Sequence, residues 1–192
     1  MAAIPPLCDF GWKAIDARLP STEGRAHSIL DLAGSNGLVV AFICNHCPYV
    51  QAVISRIVRD AIDLEGHGIG FVAISSNDVE AYPQDSFGNM KRFAADNALP
   101  FPYLFDEDQS VARAYGAVCT PDFFGFNRDR ELQYRGRLDA SRKESGPPAL
   151  RRDLYEAMVM VSRTGKGPLD QLASIGCGIK WKTAPDAAAR PA

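Results

Sequence analysis

Leu38-Val39-Val40-Ala41-Phe42-Ile43-Cys44-Asn45-His46-Cys47-Pro48-Tyr49-Val50 joins two kinds of pattern, and a pair of thiols stands at the joint. Leu38 to Ile43 is unbroken and apolar, as in a strand buried on both faces of a parallel sheet. From Tyr49 to Glu65 the spacing changes. Val50, Val53, Ile54, Ile57, Val58 and Ala61 fall at i, i+3, i+4, i+7, i+8 and i+11, which predicts an amphipathic helix. The two cysteines are thus expected in the first turn of a helix that begins where a buried strand ends. Two thiols three apart in that position close a disulfide within one turn, and the free N–H groups and dipole of the helix end favour the thiolate. This is the setting of a dithiol that cycles. A structural zinc site needs a second Cys/His pair at similar spacing, and none follows.

The chain has 192 residues, which fits one domain with a substantial core. Twenty-one basic residues stand against 23 acidic ones, and this balance points to no nucleic-acid or membrane partner. Met1 to Pro6 has neither a basic segment nor a long apolar run, so no signal peptide is expected. A cytoplasmic, reducing location follows as the default. There, catalytic disulfides are the usual exception to reduced cysteine, and the resting state of Cys44 and Cys47 is the dithiol.

Before the central joint, Phe10 to Leu32 reads as an extended segment or loose hairpin, ended by the turn Gly34-Ser35-Asn36-Gly37. Cys8 and His27 lie within this region and read as structural or solvated. Beyond the first helix, Gly66-His67-Gly68 supplies a stop, and His67 reads as a capping or solvent-facing residue. Ile69 to Ile74 is a second buried strand. Asp85 or Ser86 caps a helix running to about Asn97, and Tyr103 to Phe105 is a short strand. Asp106 to Asp108 forms an acidic first turn for a short helix ended by Gly116. Cys119-Thr120-Pro121 then opens an aromatic strand.

Leu132, Tyr134 and Leu138 alternate with polar residues, predicting an antiparallel strand with one wet face. The arginines 128, 130, 135, 137 and 142 read as its solvated side. Leu150 to Val161 closes the domain as a helix. The order predicts an α/β fold with a mixed central β-sheet and helices on both faces. Residues 1–165 form the domain, N-terminal extension included. Residues 166–192 read as a partly ordered C-terminal tail, disordered after Ala184.

From about Phe10 to Thr164 this pattern resembles the thioredoxin-like superfamily, in its branch of alkyl-hydroperoxide-reductase/thiol-specific-antioxidant (AhpC/TSA, redoxin) and TlpA-like proteins. The residues that carry the resemblance are Cys44-Asn45-His46-Cys47 at a strand-to-helix joint and Thr120-Pro121 ahead of a strand. It implies a thioredoxin-like fold in which Pro121 is cis and faces the dithiol. Ile43 stands where many thioredoxins carry Trp, and Asn45-His46 replaces their Gly-Pro. A histidine inside the loop adds positive charge beside the thiolate and makes the disulfide more oxidising. The known couples span about −270 to −120 mV, roughly 7 kcal/mol.

The expected function is thiol–disulfide exchange with no cofactor beyond the Cys44/Cys47 pair. Cys44, taken as the more exposed thiol, attacks; Cys47 resolves; Asn45, His46, Thr120 and Pro121 support. Protein disulfides, or a thioredoxin-type electron donor, are the expected partners. The resemblance also implies a peroxiredoxin-like alternative. In it Cys47-Pro48 matches the end of a Thr-x-x-Cys-Pro motif, Cys44 replaces the threonine, and Cys119 or Cys177 resolves. A third expectation, of another class, is a metal carrier or sensor using Cys44, His46 and Cys47.

Overall fold

Residues 37–42 hold no polar side chain and are wholly buried. They form the middle strand of the computed structural model, which describes residues 2–6 and 8–183. In chain order the elements are β1 (Ala2–Ala3), β2 (Arg18–Pro20), β3 (Ala26–Ser28), β4 (Gly37–Phe42), α1 (Pro48–Gln51), α2 (Ile54–Glu65), β5 (Ile69–Ser75), α3 (Phe87–Asp96), β6 (Tyr103–Phe105), α4 (Ser110–Tyr115), β7 (Cys119–Thr120), β8 (Asp122–Asn127), β9 (Leu132–Gly136), α5 (Asp153–Thr164) and β10 (Gly176–Gly178). The main sheet runs β6-β5-β4-β8-β9. The pairs β4–β5 and β5–β6 are parallel, and β4–β8 and β8–β9 antiparallel. The mixed sheet is as expected.

Alternate side chains of β4 feed two cores. Val39 and Ala41 pack with Ile57 and Leu64 of α2, Met90 of α3, and Leu154 and Met158 of α5. Leu38, Val40 and Phe42 pack on the other face with Val111, Ala112 and Tyr115 of α4 and with Trp12 of the N-terminal extension. Burying one such Leu or Ile side chain stabilises by about 1.5–3 kcal/mol, so both faces of the strand are committed to the interior. The N-terminal hairpin is β2 against β3. Asp106 caps α4 as expected, its carboxylate accepting from the N–H groups of Val111 and Ala112.

Four expectations are corrected. The helix expected from Tyr49 to Glu65 is broken after α1, where Val53 leaves helical geometry and the Ala52 carbonyl accepts from Ser145 Oγ. The left-handed stop falls at Gly68, and His67 is neither cap nor free but meets the Tyr155 hydroxyl at 3.1 Å. β9 has no wet face, and Arg135 is buried rather than solvated. Its guanidinium donates to Asp122 Oδ2 at 3.1 Å and to the Gly116 carbonyl at 2.7 Å, and Arg137 pairs with Asp153 at 2.7 Å. The cause of the third correction is the fourth.

The segment after Gly165 is not a loose tail: it lies along the outer edge of β9. Gln171 accepts from the Arg135 N–H and donates to the Gln133 carbonyl, and the Arg137 N–H donates to the Leu172 carbonyl. An open strand edge is an aggregation template, and this strap covers it. Gly167 is needed there, because a Cβ would sit 2.0 Å from the Gln133 carbonyl oxygen. The strap then enters β10, which pairs antiparallel with β1 on one side and β7 on the other. The disorder expected after Ala184 concerns residues outside those described.

Candidate active site

Cys44 leaves β4 two residues past Phe42, and Cys47 is the extended N-cap of α1, with Pro48 in the first helical position where a missing N–H costs nothing. The loop between the thiols is held by one carboxylate. Asp85 Oδ1 accepts from the N–H groups of Asn45 and His46 at 2.9 and 3.2 Å. Its Oδ2 meets His46 Nδ1 at 2.6 Å and accepts from Asn77 Nδ2 at 2.7 Å. Asn45 is tied on three sides: its carbonyl accepts from Gln51 Nε2, its Oδ1 from the Tyr103 hydroxyl, and its Nδ2 donates to the Gln84 carbonyl. The His46 ring stacks on Tyr82 at 5.8 Å and an interplanar angle of 4°.

Opposite this loop the Thr120–Pro121 peptide bond is cis. Cys44 Sγ lies 3.4 Å from Thr120 Oγ1, and Cys47 Sγ donates to the Thr120 carbonyl at 3.1 Å. Cys44, Asn45, His46, Cys47, Thr120 and Pro121 are therefore brought together.

Two features of the dithiol differ from expectation. Cys44 is not the exposed thiol: it is 1% accessible and Cys47 0%, and both belong to the buried core cluster. The charge also falls on the other sulfur. Cys47 is lowered from 9.0 to about 5, first by the hydrogen bond from Cys44, with burial opposing and with Thr120 and the N–H groups of Cys177 and Val50 assisting. Cys44 is pushed far up by that same hydrogen bond, by burial and by the negative charge of Asp85. The Thr120 carbonyl favours the Cys47 thiol form, but several donors converge on the sulfur against that one acceptor.

The other thiols separate cleanly. Cys119 is sealed at 0% exposure with its thiol toward the Pro121 carbonyl, and burial raises it. Cys8 is half-buried and raised to about 11 by desolvation. Cys177 in β10 is part-exposed, sits opposite Thr120 in the ladder and packs against the core cluster that contains Cys44 and Cys47. A metal would find a set other than the one expected: Cys44, His46 and Asp85 offer ligand atoms within 4.8 Å of one another, and Cys47 is not among them. Asp85 already serves four donors, which such an ion would have to displace.

Asp85, Asn77 and Tyr103 are the site residues that sequence reasoning missed. Asp85 was expected to cap α3, but it lies 40 residues from Asn45 and no spacing rule connects the two.

The AhpC/TSA family model matches residues 10–135. The chain belongs to the AhpC/TSA family. An uncharacterized conserved protein from Geobacillus kaustophilus is 42% identical, with a TM-score of 0.89 over 96% of this chain and 98% of that one. A hypothetical protein from Sinorhizobium meliloti 1021 is 38% identical, with a TM-score of 0.87 over 94% and 99%. A putative thiol:disulfide interchange protein DsbE from Chlorobium tepidum shares the fold, at 20% identity and a TM-score of 0.58 over 81% and 98%. No curated protein matches. As an AhpC/TSA member with a thioredoxin-like fold, the chain carries thiol-based oxidoreductase chemistry, either disulfide exchange or peroxide reduction.

Proposed function

We propose that this AhpC/TSA protein is a thiol–disulfide oxidoreductase whose Cys44 and Cys47 cycle between dithiol and disulfide. The observation that carries this reading is two thiols in one loop, both within hydrogen-bond reach of Thr120 at a cis X-Pro bond. Cys47 attacks one sulfur of a partner disulfide, the partner's other sulfur leaves as thiolate, and Cys44 then displaces the partner from Cys47 to close the Cys44–Cys47 bond. Protein disulfides are the substrate class, and a dithiol donor of thioredoxin type restores the reduced pair.

Magnitudes say where the lowered Cys47 matters. A thiol moved from 9.0 to about 5 carries about a hundredfold more thiolate at neutral pH. With a Brønsted slope near 0.5 each thiolate is about a hundredfold less nucleophilic, so attack is about unchanged. The gain lies in departure: Cys47 is a good leaving group in any disulfide it joins, which makes the couple oxidising. The test is insulin-disulfide reduction, which Cys47→Ser should abolish; turnover at the wild-type rate in that variant would remove the proposal.

A second reading is supported by the same thiolate. Cys47 followed by Pro48 occupies the place of a peroxidatic cysteine, with Cys44 as resolving thiol. Stopped-flow reaction with hydrogen peroxide separates the readings, since a rate no faster than that of a free thiol excludes the peroxidase.

A further inference from the structure

The edge of β7 beside the cis bond, where an extended substrate segment would dock, is taken by the chain's own β10. Gly176 lies over the Thr120–Pro121 peptide so closely that a Cβ would meet the Thr120 oxygen at 2.0 Å and the Pro121 nitrogen at 3.1 Å. The next residue, Cys177, pairs with Thr120, whose carbonyl receives the Cys47 thiol. Cys177 therefore stands opposite the residue that holds the Cys47 sulfur, and it packs against the cluster that contains Cys47. The strand is anchored at each end. On one side Ser174 Oγ donates to the Gly136 carbonyl. On the other, Asn77 Oδ1 accepts from the Lys180 N–H and Gln109 Nε2 donates to the Lys180 carbonyl. Asn77 also holds Asp85, so one side chain links the dithiol loop to the strap.

Resting on the proposed Cys44/Cys47 chemistry, we propose that Cys177 is a second resolving thiol for Cys47, so that the oxidised protein has two alternative bonds, Cys44–Cys47 and Cys47–Cys177. After Cys47 has attacked a disulfide substrate, the Cys177 thiolate attacks Cys47 Sγ in the mixed disulfide. The Cys47–Cys177 bond forms, the Cys47–substrate bond breaks, and the substrate sulfur leaves as thiolate and takes the proton that Cys177 released. The substrate disulfide is reduced by two electrons, and the two protein thiols are oxidised. The new bond ends on the part-exposed sulfur of Cys177, whereas Cys44–Cys47 is sealed. A reducing thiol attacks Cys177 Sγ, and Cys47 departs as the thiolate.

The test treats Cys44→Ser with glutathione disulfide and maps the products by non-reducing peptide mass spectrometry. Cys47–Cys177 should form with loss of the glutathione adduct, while Cys44→Ser/Cys177→Ser keeps the adduct on Cys47. A persistent adduct with free Cys177 in the single variant, or a bond to Cys119 instead, would overturn the proposal. Wild-type protein, trapped by alkylation after substoichiometric oxidation, gives the same readout without substitution. Cys177→Ala separates the two readings: closure of Cys44–Cys47 in it shows the dithiol intact whatever Cys177 does, and failure to close there counts against the dithiol itself.

Discussion

His46 Nδ1 and Asp85 Oδ2 lie 2.6 Å apart, with the carboxylate at 0% exposure and the imidazole at the rim of the dithiol loop. The loop takes its shape from an acceptor beneath it, and the thiols are placed by hydrogen bonds from outside their own segment.

Asp85→Ala should therefore unfold the loop locally and lower stability. Four groups lose their partner: His46 Nδ1, at the rim, turns to water, while the N–H groups of Asn45 and His46 and Asn77 Nδ2 are left without an acceptor. At about 1 kcal/mol or more for each of the last three, the loss is about 3 kcal/mol, or roughly 6–12 °C in melting temperature. Thermal unfolding of the reduced protein checks it, and an unchanged midpoint would show that the loop is held by other means.

Removing Cys44 should raise Cys47. The Cys44 hydrogen bond is the largest cause that brings Cys47 to about 5, so the pH midpoint of iodoacetamide alkylation at Cys47 moves upward in Cys44→Ser. The stability sign follows. A depressed thiol stabilises fully above its unfolded value and less as pH falls toward its folded one. The wild-type advantage over Cys47→Ser thus grows from pH 5 to pH 9. Denaturant titration of both reduced proteins across that range measures it, and parallel profiles would contradict the assignment of the charge to Cys47.

Arg135→Met leaves Asp122 buried without its partner and should cost about 3–5 kcal/mol. Asp122 is already raised to about 7, first by burial, with Arg135 opposing. Without the guanidinium it rises further. A raised carboxyl favours the folded state at low pH and loses that advantage as pH climbs, so the destabilisation is larger at pH 8 than at pH 5. Urea midpoints at the two pH values decide, and an equal loss at both would place the defect in the lost Gly116 and Phe124 contacts instead.

Gly176→Ala should loosen the strap. Its Cβ would overlap the Thr120 backbone, so β10 must retreat, and the thiols beneath it become more reactive. Faster labelling of Cys44 and Cys47 by an aromatic disulfide reagent is the expected result. A wild-type labelling rate would mean that β10 does not limit access.

Much of this was legible in the chain. The run Leu38 to Ile43 and the 3.6-residue spacing after it placed the buried strand and the strand-to-helix joint, because both are local patterns; the thiols expected in the first helical turn instead precede it, with Cys47 as the extended N-cap. The wet face assigned to β9 failed for a physical reason: alternation reports polarity, not cover, and Arg135 pairs with Asp122 while Gln133 bonds to a strap that returns from 38 residues away. The Gly- and Pro-rich composition after Gly165 suggested looseness. In the structure those small residues serve close backbone approach, at Gly167 over Gln133 and at Gly176 over Thr120. Asp85 gave no signal, since its partners are distant in sequence.

The position of β10 has a consequence for selectivity. A tethered segment competes with any incoming peptide at an effective concentration of the order of millimolar. Under the proposed exchange with protein disulfides, a client would have to outbid a rival that never diffuses away, which would disfavour weakly and transiently bound chains.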